Sequence, residues 1–186
     1  EVAAYHLDRL LGLGMVPPTV ERNVGGRKGC LQLWVTGVTM EKYEDTPPDM
    51  EAWRKQISVM WLFDDLIGNI DRHLNNAMVS PDYRLMLIDN SKSFGGHRRL
   101  LNDLNGAGTG THARFWMIPY DKDRQRYPTN YTQDFVERIR GLTKKQLKKG
   151  IGRYIWGYNR GLILKRQQMI VERLNEMGSA VMVRSR

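Results

Sequence analysis

The chain has 186 residues, 41% hydrophobic and 26% charged, the composition of a globular protein with one good core or one core plus a small subdomain. No apolar run approaches the length that spans a bilayer. The net charge of +9 suits an anionic partner but leaves nucleotide phosphate, nucleic acid, acidic protein and anionic lipid all open. Cys30 is the only cysteine, so no internal disulfide can form, which favours an intracellular setting. The chain opens on Glu1 with no signal-peptide pattern and reads as a fragment or processed form.

Residues 1–12 predict an amphipathic helix. Val2, Ala3, Tyr5, Leu7, Leu10 and Leu11 supply its apolar side, and Gly12 and Gly14 stop it. Two strands are expected next, over 15–22 and 31–38, with the glycine cluster at 25–29 as the hairpin turn between them. Residues 41–50 form a polar loop rich in Pro and Asp. From Glu51 to Leu66 the sequence predicts its clearest helix, with Trp53, Ile57, Met60 and Trp61 on one face. Asp64 extends that stripe, so it is a carboxylate near the core in need of a donor.

The stretch from Leu66 to Gly96 organises the chain. It holds two polar clusters, Asn69, Asp71, Arg72, His73, Asn75 and Asn76, then Asp89 and Asn90. Between them, 77–79 and 85–88 read as short strands around a Ser80-Pro81-Asp82-Tyr83 turn. A hairpin returns the chain to its start, so Asp89 should end up beside Asn76. A carboxylate and a carboxamide side by side are oxygen donors suited to Mg²⁺ or Mn²⁺ carrying phosphates. Such clusters are usually plain turns, but two at this spacing favour function.

After Gly96 come a basic run at His97 to Arg99, a glycine-rich stretch at 102–111, an apolar run at 115–118 and a charged turn at 121–126. The remainder reads as helices: one over 134–140 behind Thr132, one over 144–149 capped by Thr143, and a long one over 154–177. In the last, Leu162, Leu164, Lys165, Met169, Val171 and Leu174 form a mixed stripe. Lys144, Lys145, Lys148 and Lys149 read as a solvated face rather than an anion dock. No zinc spacing and no GxSxG nucleophile elbow occurs.

In the protein-kinase catalytic loop an Asp precedes an Asn by five positions, and a metal-binding Asp follows a strand pair later. Asp71, Asn76 and Asp89 have this spacing. The order NIDRHLNN, the block from Phe63 to His73, the block from Ile88 to Gly95, and the early EVAAYHLDRLLG helix with Val16-Pro17-Pro18 together resemble atypical kinases. These are the phosphatidylinositol 3-/4-kinase-like superfamily, the HipA-type bacterial kinases and the family-with-sequence-similarity-20 secretory-pathway kinases. The resemblance covers roughly residues 1–96. It departs from the last group in the lone cysteine and in Asn76, where that group often has an acid.

The resemblance implies an α+β, protein-kinase-like fold, mostly the helical C-terminal lobe with a remnant of the N-terminal lobe. Residues 1–36 would be that remnant, up to the hinge, and 37–186 the C-lobe. It implies ATP and Mg²⁺ or Mn²⁺ as cofactors, with Asn76 and Asp89 as metal ligands and Asp71 receiving or orienting the proton of a hydroxyl acceptor. His73 would brace the loop, and Arg72 would pair with a carboxylate or a phosphate. Glu1 would occupy the position that pairs with an ATP-binding lysine, Trp34 and Val35 would meet adenine at the hinge, and 102–111 would lie at the activation segment. The lysine and the glycine-rich phosphate loop belong upstream and are not in this chain. The expected activity is phosphoryl transfer to a protein Ser/Thr, glycan or lipid-headgroup hydroxyl; a non-catalytic kinase-like module that binds nucleotide or protein is the alternative. A nucleic-acid-binding domain rests on charge only and is the weakest of the three, with steep salt dependence as its signature.

Overall fold

A computed structural model of the chain describes residues 1–96, 131–177 and 182–183. The protein is a mixed α+β structure. Helix α1 (Val2–Leu11) buries Ala3, Ala4, Leu7 and Leu11 and ends where Gly12 turns left-handed. Asp8 is buried on the same side. Its carboxylate accepts N–H bonds from Gly14 (3.1 Å), Met15 (2.9 Å) and Val16 (3.2 Å). Burial nonetheless pushes its carboxyl above the ordinary range, outweighing those three donors.

The same bonds explain a displaced strand. The N–H groups of Met15 and Val16 are committed to Asp8, and Pro17 and Pro18 have none to give. Strand β1 (Thr19–Val24) therefore begins later than Met15 and pairs antiparallel with β2 (Arg27–Gln32). Gly25 and Gly26, both at positive φ, make the two-residue turn between them.

The strand expected over 31–38 is split. Leu33 N–H still bonds the Pro18 carbonyl at 2.8 Å, but the chain then leaves this hairpin. At Gly37 it passes so close to the Val79 carbonyl that a side chain would collide. It resumes as β3 (Val38–Thr39) in a second antiparallel sheet, of order β3-β4-β5, with β4 (Ala77–Val79) and β5 (Leu85–Leu87).

Helix α2 (Met50–Ile67) is the central element. Asp49 caps it by accepting from Ala52 N–H at 2.9 Å, and Trp53, Ile57, Met60, Trp61, Leu62, Phe63, Leu66 and Ile67 are buried along it. Gly68 closes it in the left-handed region at φ 63°, and a Cβ there would lie 3.0 Å from the Arg166 guanidinium carbon. Gly68→Ala should therefore cost about 1–2 kcal/mol for the left-handed backbone alone. Urea unfolding checks this, and an unchanged midpoint would mean that Gly68 does not hold the left-handed conformation.

The C-terminal helices pack on this centre. They are α3 (Gln133–Arg140), which starts directly after Thr132, α4 (Lys144–Ile151) and α5 (Gly157–Met177). Thr143 and Gln146 form a full capping box at the start of α4, whose four lysines are exposed. A short parallel pair joins β6 (Tyr131–Thr132) to β7 (Met182–Val183). Leu7 and Leu11, Trp61 and Leu66, Phe135 and Ile139, Leu147 and Ile151, and Ile163 and Ile170 share one apolar core.

The stripe of α5 differs from expectation: Leu162, Ile163, Arg166, Gln167, Ile170 and Leu174 are buried, whereas Lys165 is exposed and Leu164, Met169 and Val171 are half-buried. Two polar residues disguise the pattern because each reaches backbone carbonyls from a buried position. Gln167 reaches those of Ile139, Arg140 and Leu142, and Arg166 reaches that of Leu66. The basic run at His97 to Arg99, the activation-segment stretch 102–111, the apolar run 115–118 and the turn at 121–126 lie outside the described residues. No helix among the described residues is long and apolar enough to cross a membrane.

Candidate active site

A buried ion pair sits where α2 hands over to the loop that follows it. Asp64, in the last turn of α2, has no exposure to solvent, and neither has Arg72. The Arg72 guanidinium grips the Asp64 carboxylate with two parallel bonds, Nε to Oδ2 at 2.9 Å and Nη2 to Oδ1 at 3.0 Å. Two-pronged charged contacts of this kind are both strong and directional. Asn69 Nδ2 adds a third donor to Asp64 Oδ1 at 3.0 Å. The helix-face carboxylate thus finds its donors in the loop, as its place on the stripe predicted.

Arg72 then ties the loop to both strands of the hairpin. Its Nη1 donates to the carbonyls of Asn76 and of Ile88, the latter at 2.8 Å, and its Nη2 donates to Asn90 Oδ1 at 2.6 Å. Of the two partners open to Arg72 in the sequence, the structure takes the carboxylate. With no exposed surface Arg72 is a positioning residue, holding in register the segments that carry Asp71, Asn76 and Asp89.

Asn69 Oδ1 accepts from Asp71 N–H at 3.0 Å, and Asn76 Nδ2 donates to the Asp71 carbonyl at 2.9 Å. Both ends of the Asp71 backbone are therefore clamped by carboxamides. Its half-buried carboxylate makes no hydrogen bond among the described residues and is available to a ligand. The exposed His73 makes a local bond within the loop, its Nδ1 accepting from Asn75 N–H at 3.3 Å. Asn75 is exposed, whereas Asn76 is buried beside the Asp71 backbone.

The hairpin brings Asp89 back. Ala77 pairs with Leu87, and Ile88 N–H bonds the Asn76 carbonyl at 3.1 Å, so Asp89 stands one residue beyond that bond. Asp89 has φ 48° and Phe94 has φ 63°, conformations that side-chain-bearing residues rarely adopt. Such outliers persist only where the surroundings over-determine them, and they gather at functional sites. Ser91 Oγ fixes Asp89 Oδ1 at 2.6 Å. Phe94 N–H bonds the Ile67 carbonyl at 2.7 Å, and the Phe94 carbonyl accepts from Asn159 of α5.

Glu1 joins the network from the start of α1, where its Oε2 accepts from Asn90 Nδ2 at 3.4 Å. Its other carboxylate oxygen is buried without a hydrogen-bond partner among the described residues. Trp34 and Val35 lie in the connection from β2 to β3, Trp34 with 89% of its surface exposed and Val35 half-buried.

Sequence reasoning placed Asp64 well but assigned no role to Asn69 or Asn90. Their polar character was visible; their pairing with Asp64 and Arg72 depends on the hairpin's return. It also gave no signal of the second cation at the end of α2. Arg166 is buried beside Asp65, its Nε donates to the Leu66 carbonyl at 2.9 Å, and burial lowers its pKa to about 10 against the opposing pull of Asp65.

Among the described residues no three His, Cys, Asp or Glu side chains cluster as a metal cage. The donor set at this site is smaller, one carboxylate (Asp89) and one carboxamide (Asn76), with the Asp71 carboxylate on the adjoining loop. That set suits a Mg²⁺-like ion, which is commonly held by one or two protein oxygens together with water and substrate phosphates. No protein-family profile matches the chain, and no curated protein is significantly similar to it.

Proposed function

We propose that the chain is a kinase-like phosphotransferase domain that moves the γ-phosphoryl group of ATP to a hydroxyl acceptor. The observation that carries this reading is the Asp64–Arg72 pair, which fastens the NIDRH loop to the segment after the hairpin and so holds together the segments that carry Asp71, Asn76 and Asp89. Phosphoryl transfer asks a protein chiefly to position groups and neutralise charge, and a rigidly fastened trio of oxygen donors is suited to that.

Asn76 and Asp89 would hold Mg²⁺ or Mn²⁺. The Asn76 amide nitrogen is committed to the Asp71 carbonyl, leaving its oxygen as the ligand, and Asp89 keeps Oδ2 beside the Ser91-bound Oδ1. When bound, the metal supplies neutralisation of the nucleotide phosphates. Asp71 would take the proton of the attacking hydroxyl, because its carboxylate is available while its backbone is fixed. The partnerless oxygen of Glu1 fits the role of receiving a lysine ammonium. Trp34 offers an exposed aromatic face in the connection from β2 to β3, on which a purine would stack in this reading.

A second reading is a kinase-like module that binds nucleotide or protein without transfer. The buried Glu1 oxygen favours it, since among the described residues that oxygen lacks the lysine partner that a transferring kinase would supply.

Thermal unfolding with ATP and Mn²⁺ tests the nucleotide site. A ligand at a hundredfold excess over its dissociation constant stabilises the folded state by about 2.7 kcal/mol. The expected result is a metal-dependent rise in Tm that Asp89→Asn abolishes. A rise that survives Asp89→Asn would remove Asp89 as a ligand, and no rise in the unaltered chain would remove the nucleotide site.

A further inference from the structure

Away from the catalytic loop, a cavity of about 210 Å³ opens between the turn after α1, the middle of α2, the start of β5 and α3. Its walls are apolar where Met15, Val59 and Phe135 face it and cationic where Lys55, Arg84 and Arg138 do, and among the described residues no carboxylate lines it. Lys55 is paired with Glu51 at 2.8 Å, whereas Arg84 and Arg138 have no ion-pair partner among the described residues. The Arg138 Nη1 is seated at the end of α1, donating to the Leu11 carbonyl at 2.9 Å.

The walls are tied to one another. Gln56 of α2 donates to the Tyr83 carbonyl at 3.0 Å and accepts from Leu85 N–H at 2.7 Å, fixing the hairpin against the helix. We propose that this cavity is a docking site for an acidic peptide segment, which would place one apolar side chain on the Met15–Phe135 floor and its flanking carboxylates on Arg84 and Arg138. Charge complementarity selects this occupant: around an apolar depression the lining offers the Arg84 guanidinium, which has no ion-pair partner among the described residues, and the Nη2 of Arg138, whose Nε and Nη1 already bond the carbonyls of Asp134, Leu11 and Gly12. Arginine forks match carboxylates in geometry as well as sign. The inference does not depend on the proposed phosphoryl transfer, because the cavity uses none of its residues.

The test is fluorescence anisotropy with a labelled Asp-Glu-Phe-Leu-Glu-Asp peptide. Binding is expected to weaken at least tenfold in Arg84→Glu, an exposed site whose change should leave the circular dichroism spectrum intact. A peptide with glycine in place of the Phe-Leu pair should lose a similar factor. Lys148→Glu, on an exposed face of α4, should bind as the unaltered chain does. Equal weakening by Lys148→Glu, or equal affinity for the glycine peptide, would show simple attraction to a basic protein and overturn the proposal. So would no binding, or displacement of the peptide by single-stranded oligonucleotide, which would hand the patch to nucleic acid.

Discussion

Arg72→Ala is expected to destabilise the fold by about 3–5 kcal/mol, the usual cost of removing one partner from a buried charge pair. The physical reason is what remains. Asp64 would keep a charge at a fully buried position with, among the described residues, only the Asn69 amide as donor. The carbonyls of Asn76 and Ile88 and the Asn90 amide oxygen would lose the same partner at once. In a domain of this size 1 kcal/mol moves Tm by about 2–4 °C, so a fall of roughly 6–20 °C is expected by calorimetry. Typical domains hold only about 5–15 kcal/mol in reserve.

Arg72→Lys should recover little, since one ammonium cannot reproduce a planar fork that serves several acceptors. The double replacement of Asp64 and Arg72 by alanine should cost less than the two single losses added together, because neither charge is then stranded. A loss below about 1 kcal/mol for Arg72→Ala is what an exposed pair would give, and it would contradict the burial that the site depends on.

Much of this architecture was legible because it is local. The apolar spacing from Trp53 to Trp61 fixed α2, the glycines fixed its end and the first hairpin turn, and the turn residues 80–83 fixed the second hairpin. From that hairpin alone Asp89 could be brought back towards Asn76. Asp64 was legible too, since a carboxylate on an apolar stripe must find a donor.

What stayed hidden is long-range. Nothing near Asp8 says that it will take three backbone N–H groups and so delay β1. Nothing near Val38 says that it belongs to a different sheet from Leu31; that follows from the close approach of Gly37 to Val79. Arg166 and Gln167 look like a solvated helix face because their type is polar, yet both are buried and reach distant carbonyls, Arg166 through its Nε. The identity of the Arg72 partner was open for the same reason. An arginine in a loop is compatible with phosphate or carboxylate until the fold shows which of them can reach it without solvent.

That burial sharpens the test of the chemistry, because it separates the residues that hold the site from the one assigned to act in it. Asp71→Asn is expected to lower ATP turnover about 100-fold or more, the scale of losing a positioned general base. Folding should be spared: Asp71 enters the network through its backbone, N–H to Asn69 and carbonyl to Asn76, and both bonds survive the change. The measurement is ADP formation from ATP and Mn²⁺ with water as acceptor, run beside the thermal shift with the same ligand. Lost turnover with a preserved shift would place Asp71 in the transfer step and Asn76 and Asp89 in binding. Turnover unchanged in Asp71→Asn would strip Asp71 of its role. A shift with no turnover in the unaltered chain would select the non-catalytic reading, in which the same buried brace keeps a nucleotide pocket in shape without phosphoryl transfer.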